Sequence, residues 1–115
     1  MVVRSPFVHE AELRLAGETD PGAPGAAVTT ELCGHWQHEG GCRWPHNNEL
    51  RATGDAAATF RTVFVAPPEE EDEVRRGIER ALRSAAGWTV MASSARSLRP
   101  EEQALVAKLA NTPLP

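Results

Sequence analysis

No apolar run in this sequence is long enough to cross a membrane. The densest, "VFVA" at 63–66, falls far short of the roughly 20 residues that a spanning helix needs. The N-terminal "MVVRSPFVHEAEL" meets charge at Arg4 and Glu10, too early for the apolar core of a signal peptide. A cytoplasmic location is therefore expected, with no membrane partner. Excess positive charge is also lacking. The formal net charge is −4, so nothing long-range draws in a phosphate backbone, and nucleic acid is not an expected partner. Lysine occurs once, at Lys108, against eleven arginines, the mark of a GC-rich genome and of no mechanism. Neither G-x-x-x-x-G-K-[ST] nor G-x-G-x-x-G is present, which removes the common nucleotide-binding signatures. C-x-x-C and C-x-x-C-H are missing too, and with them the usual redox and haem motifs. Cysteine is limited to two residues. In a reducing compartment these are expected free or metal-bound rather than bridged.

What is present reads as one ordinary domain over residues 1–115, with 41% hydrophobic and 24% charged residues and no internal repeat. Residues 7–16, "FVHEAELRLA", alternate with period two, placing His9, Ala11, Leu13 and Leu15 on one face. Val8, Glu10, Glu12 and Arg14 fall on the other, as in a strand with one wet face. After the loop "GETDPGAPG", residues 26–36 alternate again, with Val28, Thr30, Leu32 and Trp36 on a shared face. "ELRATG" at 49–54 suits a short edge strand, and "ATFRTVFVAP" at 58–67 a buried one. Pro67, Pro68 and the acids Glu69 to Glu73 announce a helix, expected over 69–86. Val74, Ile78, Ala81, Leu82 and Ala85 form its buried stripe, and Gly87 its cap. The pairs Glu71–Arg75, Asp72–Arg76 and Glu79–Arg83 make its arginines a self-paired solvated face. A strand over 88–95 and a helix over 100–110 complete the chain. The expected class is α+β: a single, mostly antiparallel sheet of four to five strands, with two helices packed on one face. Its expected order is β-β-(β)-β-α-β-α, with the strands flanking the first helix parallel to each other.

Chemistry concentrates in "CGHWQHEGGCRWPHNN", residues 33–48. This stretch holds both cysteines, three of the four histidines and two of the three tryptophans. Cys33 and His35, two apart on a strand, would point to the same side with Cα atoms about 6–7 Å apart. The paired glycines Gly40 and Gly41 allow a reversal that returns Cys42 and His46 to that side. Cys33, His35, His38, Cys42 and His46 are thus candidate ligands for a transition metal, zinc above all, because thiolate and imidazole suit its tetrahedral shell. The spacing C-x-H-x2-H-x3-C-x3-H matches no common zinc motif. The glycines of "HEGGC" are incompatible with the helix that H-E-x-x-H requires.

Four other possibilities share these residues. Trp36, Arg43, Trp44 and His46 could form a surface that holds a small ligand or a protein without a metal. Cys33 could act as a nucleophile in a cysteine-dependent enzyme, with His35 or His38 as base and Glu31 or Glu39 orienting it. Finally, Cys33 and Cys42 could close a disulfide, or no special bond could form and a tryptophan, Trp36 first, could simply cap the core. His9, on an apolar strand face, is expected to be a satisfied core histidine rather than a ligand.

Overall fold

The computed structural model describes residues 3–33 and 43–112. Its elements run β1 (Ser5–Leu15), α1 (Ala23–Cys33), β2 (His46–Gly54), β3 (Ala57–Ala66), α2 (Glu71–Arg83), β4 (Trp88–Arg96) and α3 (Gln103–Ala110), with a short 3-10 turn before α2 and another before α3. The four strands form one sheet in the order β2-β3-β1-β4, and every neighbouring pair is antiparallel. The class is α+β, as expected. β3 and β4 both pair antiparallel with β1, so they run parallel to each other with β1 inserted between them. This connectivity is the split β-α-β, ferredoxin-like arrangement, extended by α3.

The expected order fails at one element. Residues 26–33 belong to helix α1, not to a strand. Val28, Thr29 and Thr30 carry a β-like pattern, but the side chains turned inward are Pro24, Val28 and Leu32, spaced four apart as on a helix face. Asp20 starts the turn: its Oδ1 accepts from the Gly22 amide at 2.8 Å and its carbonyl from Ala23 at 3.0 Å, an Asx-type entry. Pro24 then falls in the first helical turn, where its missing N–H costs nothing. The core between sheet and helices joins Ala11, Leu13, Phe60 and Phe64 to Val28 and Leu32 of α1 and Val74, Ile78 and Leu82 of α2. Gly87 lies beyond the helix end, where Ser84 is the cap. The Gly87 carbonyl instead accepts from the Ala16 amide and the Thr19 hydroxyl.

The two helices sharing a face are therefore α1 and α2, while α3 lies across the opposite one. There Val8, Val63 and Val65 meet Leu98, Leu105, Val106 and Leu109. The face of β1 expected to be wet is consequently dry at Val8, which is 0% exposed. It remains open at Glu12 and Arg14.

The β2–β3 hairpin turns through Ala56, whose φ of 60° is left-handed. That conformation costs a Cβ-bearing residue about 1–2 kcal/mol, partly offset in glycine by its greater chain entropy. Ala56→Gly is expected to raise stability by about 0.5–1 kcal/mol, read as a higher urea midpoint; an unchanged or lower midpoint would contradict it.

Candidate functional site

The 33–48 stretch is divided by the structure. His35, Trp36, His38 and Cys42, together with Glu39, lie outside the described residues. Cys33 closes α1, so the strand geometry that aligned it with His35 does not exist. Its sulfur is disulfide-bonded, contrary to the expected free or metal-bound thiol, and in that state supplies neither a thiolate ligand nor a nucleophile. Glu31, offered as an orienter, pairs instead with Arg80 of α2 at 3.1 Å. Among the described residues no three His, Cys, Asp or Glu side chains gather closely enough to hold a metal ion.

His46 opens β2 and comes close to Cys33, with Nδ1 4.0 Å from Sγ. The Trp44 carbonyl lies 3.0 Å from His46 Nδ1 and can only accept, so the ring proton sits on Nδ1. Nε2 then accepts from the Thr29 hydroxyl at 3.0 Å. Thr29 in turn accepts from the Asn48 amide, whose oxygen takes the Thr62 hydroxyl. This chain ties α1 to the sheet and fixes the His46 tautomer. Trp44 is 7% exposed and belongs to the core; its indole N–H donates to Glu70 at 2.8 Å. Arg43 stacks 4.5 Å above the ring and pairs with Glu70. The expected Trp/His/Arg surface is thus, in its described part, a self-satisfied edge of the core rather than an open anchor.

A second polar cluster lies under α2. His9 is 6% exposed, and its Nδ1 is 3.1 Å from Arg75 Nη1. A guanidinium only donates, so His9 carries its proton on Nε2. That N–H is shared between Glu79 at 2.9 Å and Ser93 at 2.7 Å, while the Ser93 hydroxyl donates to Glu79. Arg75 also binds Glu71 and the Val8 carbonyl, and Glu79 binds Arg83, so two of the expected helix pairs form. Serine and carboxylate share one ring nitrogen, whereas a nucleophilic triad sets them on opposite nitrogens. The cluster is a brace between β1, β4 and α2, and His9 is the satisfied core histidine expected.

Burial is the main reason the His9 imidazolium is disfavoured, with the Arg75 charge adding to it and the Glu79 hydrogen bond opposing it, so its pKa lies below 6.5. Burial pushes the Glu79 carboxyl up, but hydrogen bonds from Ser93, Arg83 and His9 outweigh it and hold the pKa at about 2. Below pH 6.5 the unfolded chain takes up a proton at His9 that the folded chain resists, so stability falls with acid from that point. A second fall begins near the ordinary carboxyl value of 4.5, as the unfolded chain protonates Glu79 before the folded one does. Denaturant midpoints measured from about pH 8 to about pH 3 are expected to show both steps. His9→Gln, which can accept from Arg75 and donate to Glu79, is expected to lose the upper step alone; retention of that step would assign it to another group.

The third cluster occupies the opposite face of the sheet. Arg61 of β3, 4% exposed, stands between Glu10 of β1 and Glu49 of β2 in the strand register. Its Nε and Nη2 donate to both oxygens of Glu102 at 2.8 and 2.5 Å. Nη1 donates to Glu10 at 2.6 Å, and Nη2 also reaches the Ser97 carbonyl. Arg99 and Arg96 complete the pairing of Glu10. The Glu102 carboxylate, ahead of the opposing effect of burial, pushes deprotonation of Arg61 further up. Arg61 and the Arg99 amide hold Glu102 down at about 2. Between this cluster and the start of α3 lies a cavity of about 300 Å³ lined by Asn47, Glu49, Arg61, Val63, Arg99, Glu101, Glu102 and Leu105.

Sequence reasoning missed this cavity. Its available signal was an arginine inside an otherwise apolar strand, where a charge needs a buried partner. No family model, curated protein or solved structure matches the chain.

Proposed function

We infer that the protein is a ligand-binding module without a metal, and that the ligand is a small polar molecule seated between β2, β3 and α3. The observation that carries this reading is the Arg61 cavity. Its volume lies at the lower end of the range for ligand pockets, about 300–1,000 Å³, and it combines apolar walls at Val63 and Leu105 with convergent polar groups. Binding is the activity these groups support, since among the described residues its lining is carboxylate, guanidinium, amide and apolar side chains. The experiment is a titration of isotope-labelled protein with amino acids, amines, carboxylic acids, sugars and nucleosides, followed by NMR. Saturable shifts confined to residues 47–49, 61–63 and 99–105 are expected, together with their loss in Leu105→Trp, which fills the cavity from the helix side. If no compound moves these resonances, the reading is wrong.

Zinc binding at the 33–48 stretch is a second proposal, supported by the approach of Cys33 to His46. It requires the reduced chain, because the ion takes a thiolate. Stoichiometric zinc in reduced protein purified without a His-tag, lost in Cys33→Ser and in His46→Ala, would support it. Reduced protein free of metal and indifferent to chelator would end it.

A further inference from the structure

We propose that the Arg61 cavity takes a small primary ammonium compound that also carries an acceptor oxygen, of which a free amino acid is the simplest kind. This rests on the reading of the cavity as a ligand site and names the ligand's chemistry.

The guanidinium groups around the cavity already have carboxylate partners, and the carboxylates lining it (Glu49, Glu101, Glu102) outnumber the arginines lining it (Arg61, Arg99). Arg61 is bound by Glu102 and Glu10, and Arg99 faces Glu10 at 3.7 Å. The side chains of Glu49 and Glu101, by contrast, line the cavity without a hydrogen bond or ion pair to another described residue. The surplus charge offered to a ligand is therefore negative. A bare metal ion is a poorer match, since among the described residues no trio of ligating side chains gathers there. An organic ammonium needs only two carboxylates, and its three N–H donors can divide between Glu49, Glu101 and the Asn47 amide oxygen.

The second requirement comes from Arg61. A guanidinium has five N–H groups. Nε–H and both Nη2–H groups are spent on Glu102 and the Ser97 carbonyl, and one Nη1–H on Glu10. One Nη1–H is left on a charged side chain that is almost entirely buried and that lines the cavity. A ligand oxygen that reaches it would gain a charge-assisted hydrogen bond. Val63 and Leu105 then cover a short apolar body between the two polar ends.

The test compares leucine, leucinamide, isopentylamine and 4-methylpentanoate as probes, by the same NMR titration and by calorimetry. Leucine and leucinamide are expected to bind, isopentylamine about tenfold more weakly for want of the oxygen, and 4-methylpentanoate not at all. Glu49→Gln combined with Glu101→Gln, both at exposed positions, is expected to weaken leucine by at least about tenfold with the melting temperature unchanged. Equal binding of 4-methylpentanoate, or full affinity in the double variant, overturns the ammonium assignment while leaving the cavity a ligand site. The same holds if only sugars, nucleosides or acids shift the cavity residues. If no compound of any class shifts them, both readings fall.

Discussion

Arg61→Leu is expected to destabilise the protein by about 3–5 kcal/mol, the range for breaking a buried ion pair from one side. The loss comes from what remains rather than from what is removed. Glu10 and Glu102 would keep their charges beneath α3 without the guanidinium that neutralises them. Glu102 would retain the Arg99 amide and Glu10 would retain Arg96 and Arg99, which points to the lower part of the range. Converting Glu10 and Glu102 to leucine as well is expected to recover most of the loss, because an apolar replacement of a whole buried network is often neutral or better. Equilibrium urea unfolding of the single and triple variants measures both. A single variant as stable as the parent would mean that water reaches the two carboxylates freely.

Leu82→Ala is expected to cost about 2–5 kcal/mol, as large-to-small changes in a core do. Leu82 is 1% exposed and packs in the cluster that joins α2 to the sheet. Its backbone carbonyl accepts the Trp88 indole N–H at 2.8 Å, and alanine preserves that bond. The measured loss should therefore report packing alone. A denaturation midpoint equal to the parent's would place Leu82 on the wrong side of its helix.

Leu82 was legible in the sequence because α2 is strongly amphipathic and its stripe has no competing pattern. The same holds for β1, where strict alternation found His9, Ala11 and Leu13 facing the helices, and for the apolar run of β3. α1 was illegible for a physical reason. Its inward side is only Pro24, Val28 and Leu32, and the β-branched run at 28–30 satisfies a strand period equally well. What makes it helical is contact with α2, which no local pattern contains. The candidate site failed in the same way. Arg61 finds its partners at Glu10 and Glu102, one set by strand register and the other by where α3 lands. The conspicuous cluster of Cys, His and Trp drew attention because those residues are rare, whereas the buried charge in β3 looked like one more arginine.

The sheet order has a consequence for how the chain is made. Of the four strands β1 is the first to be synthesised, yet it occupies the interior of the sheet, where Ser5 pairs with Ala66 and Val8 with Arg96. Both partners are distant in sequence, and closing such separations slows folding. During synthesis β1 can pair with β3 on one side, but its other hydrogen-bonding edge must wait bare until nearly the whole domain has emerged. A nascent chain stalled before residue 88 can form the β1–β3 pair but leaves one side of β1 open along its length, an edge that invites association with other chains. Solubility of C-terminally shortened chains is therefore expected to drop sharply once β4 is lost, and occupancy by ribosome-bound chaperones to be longest just before it appears.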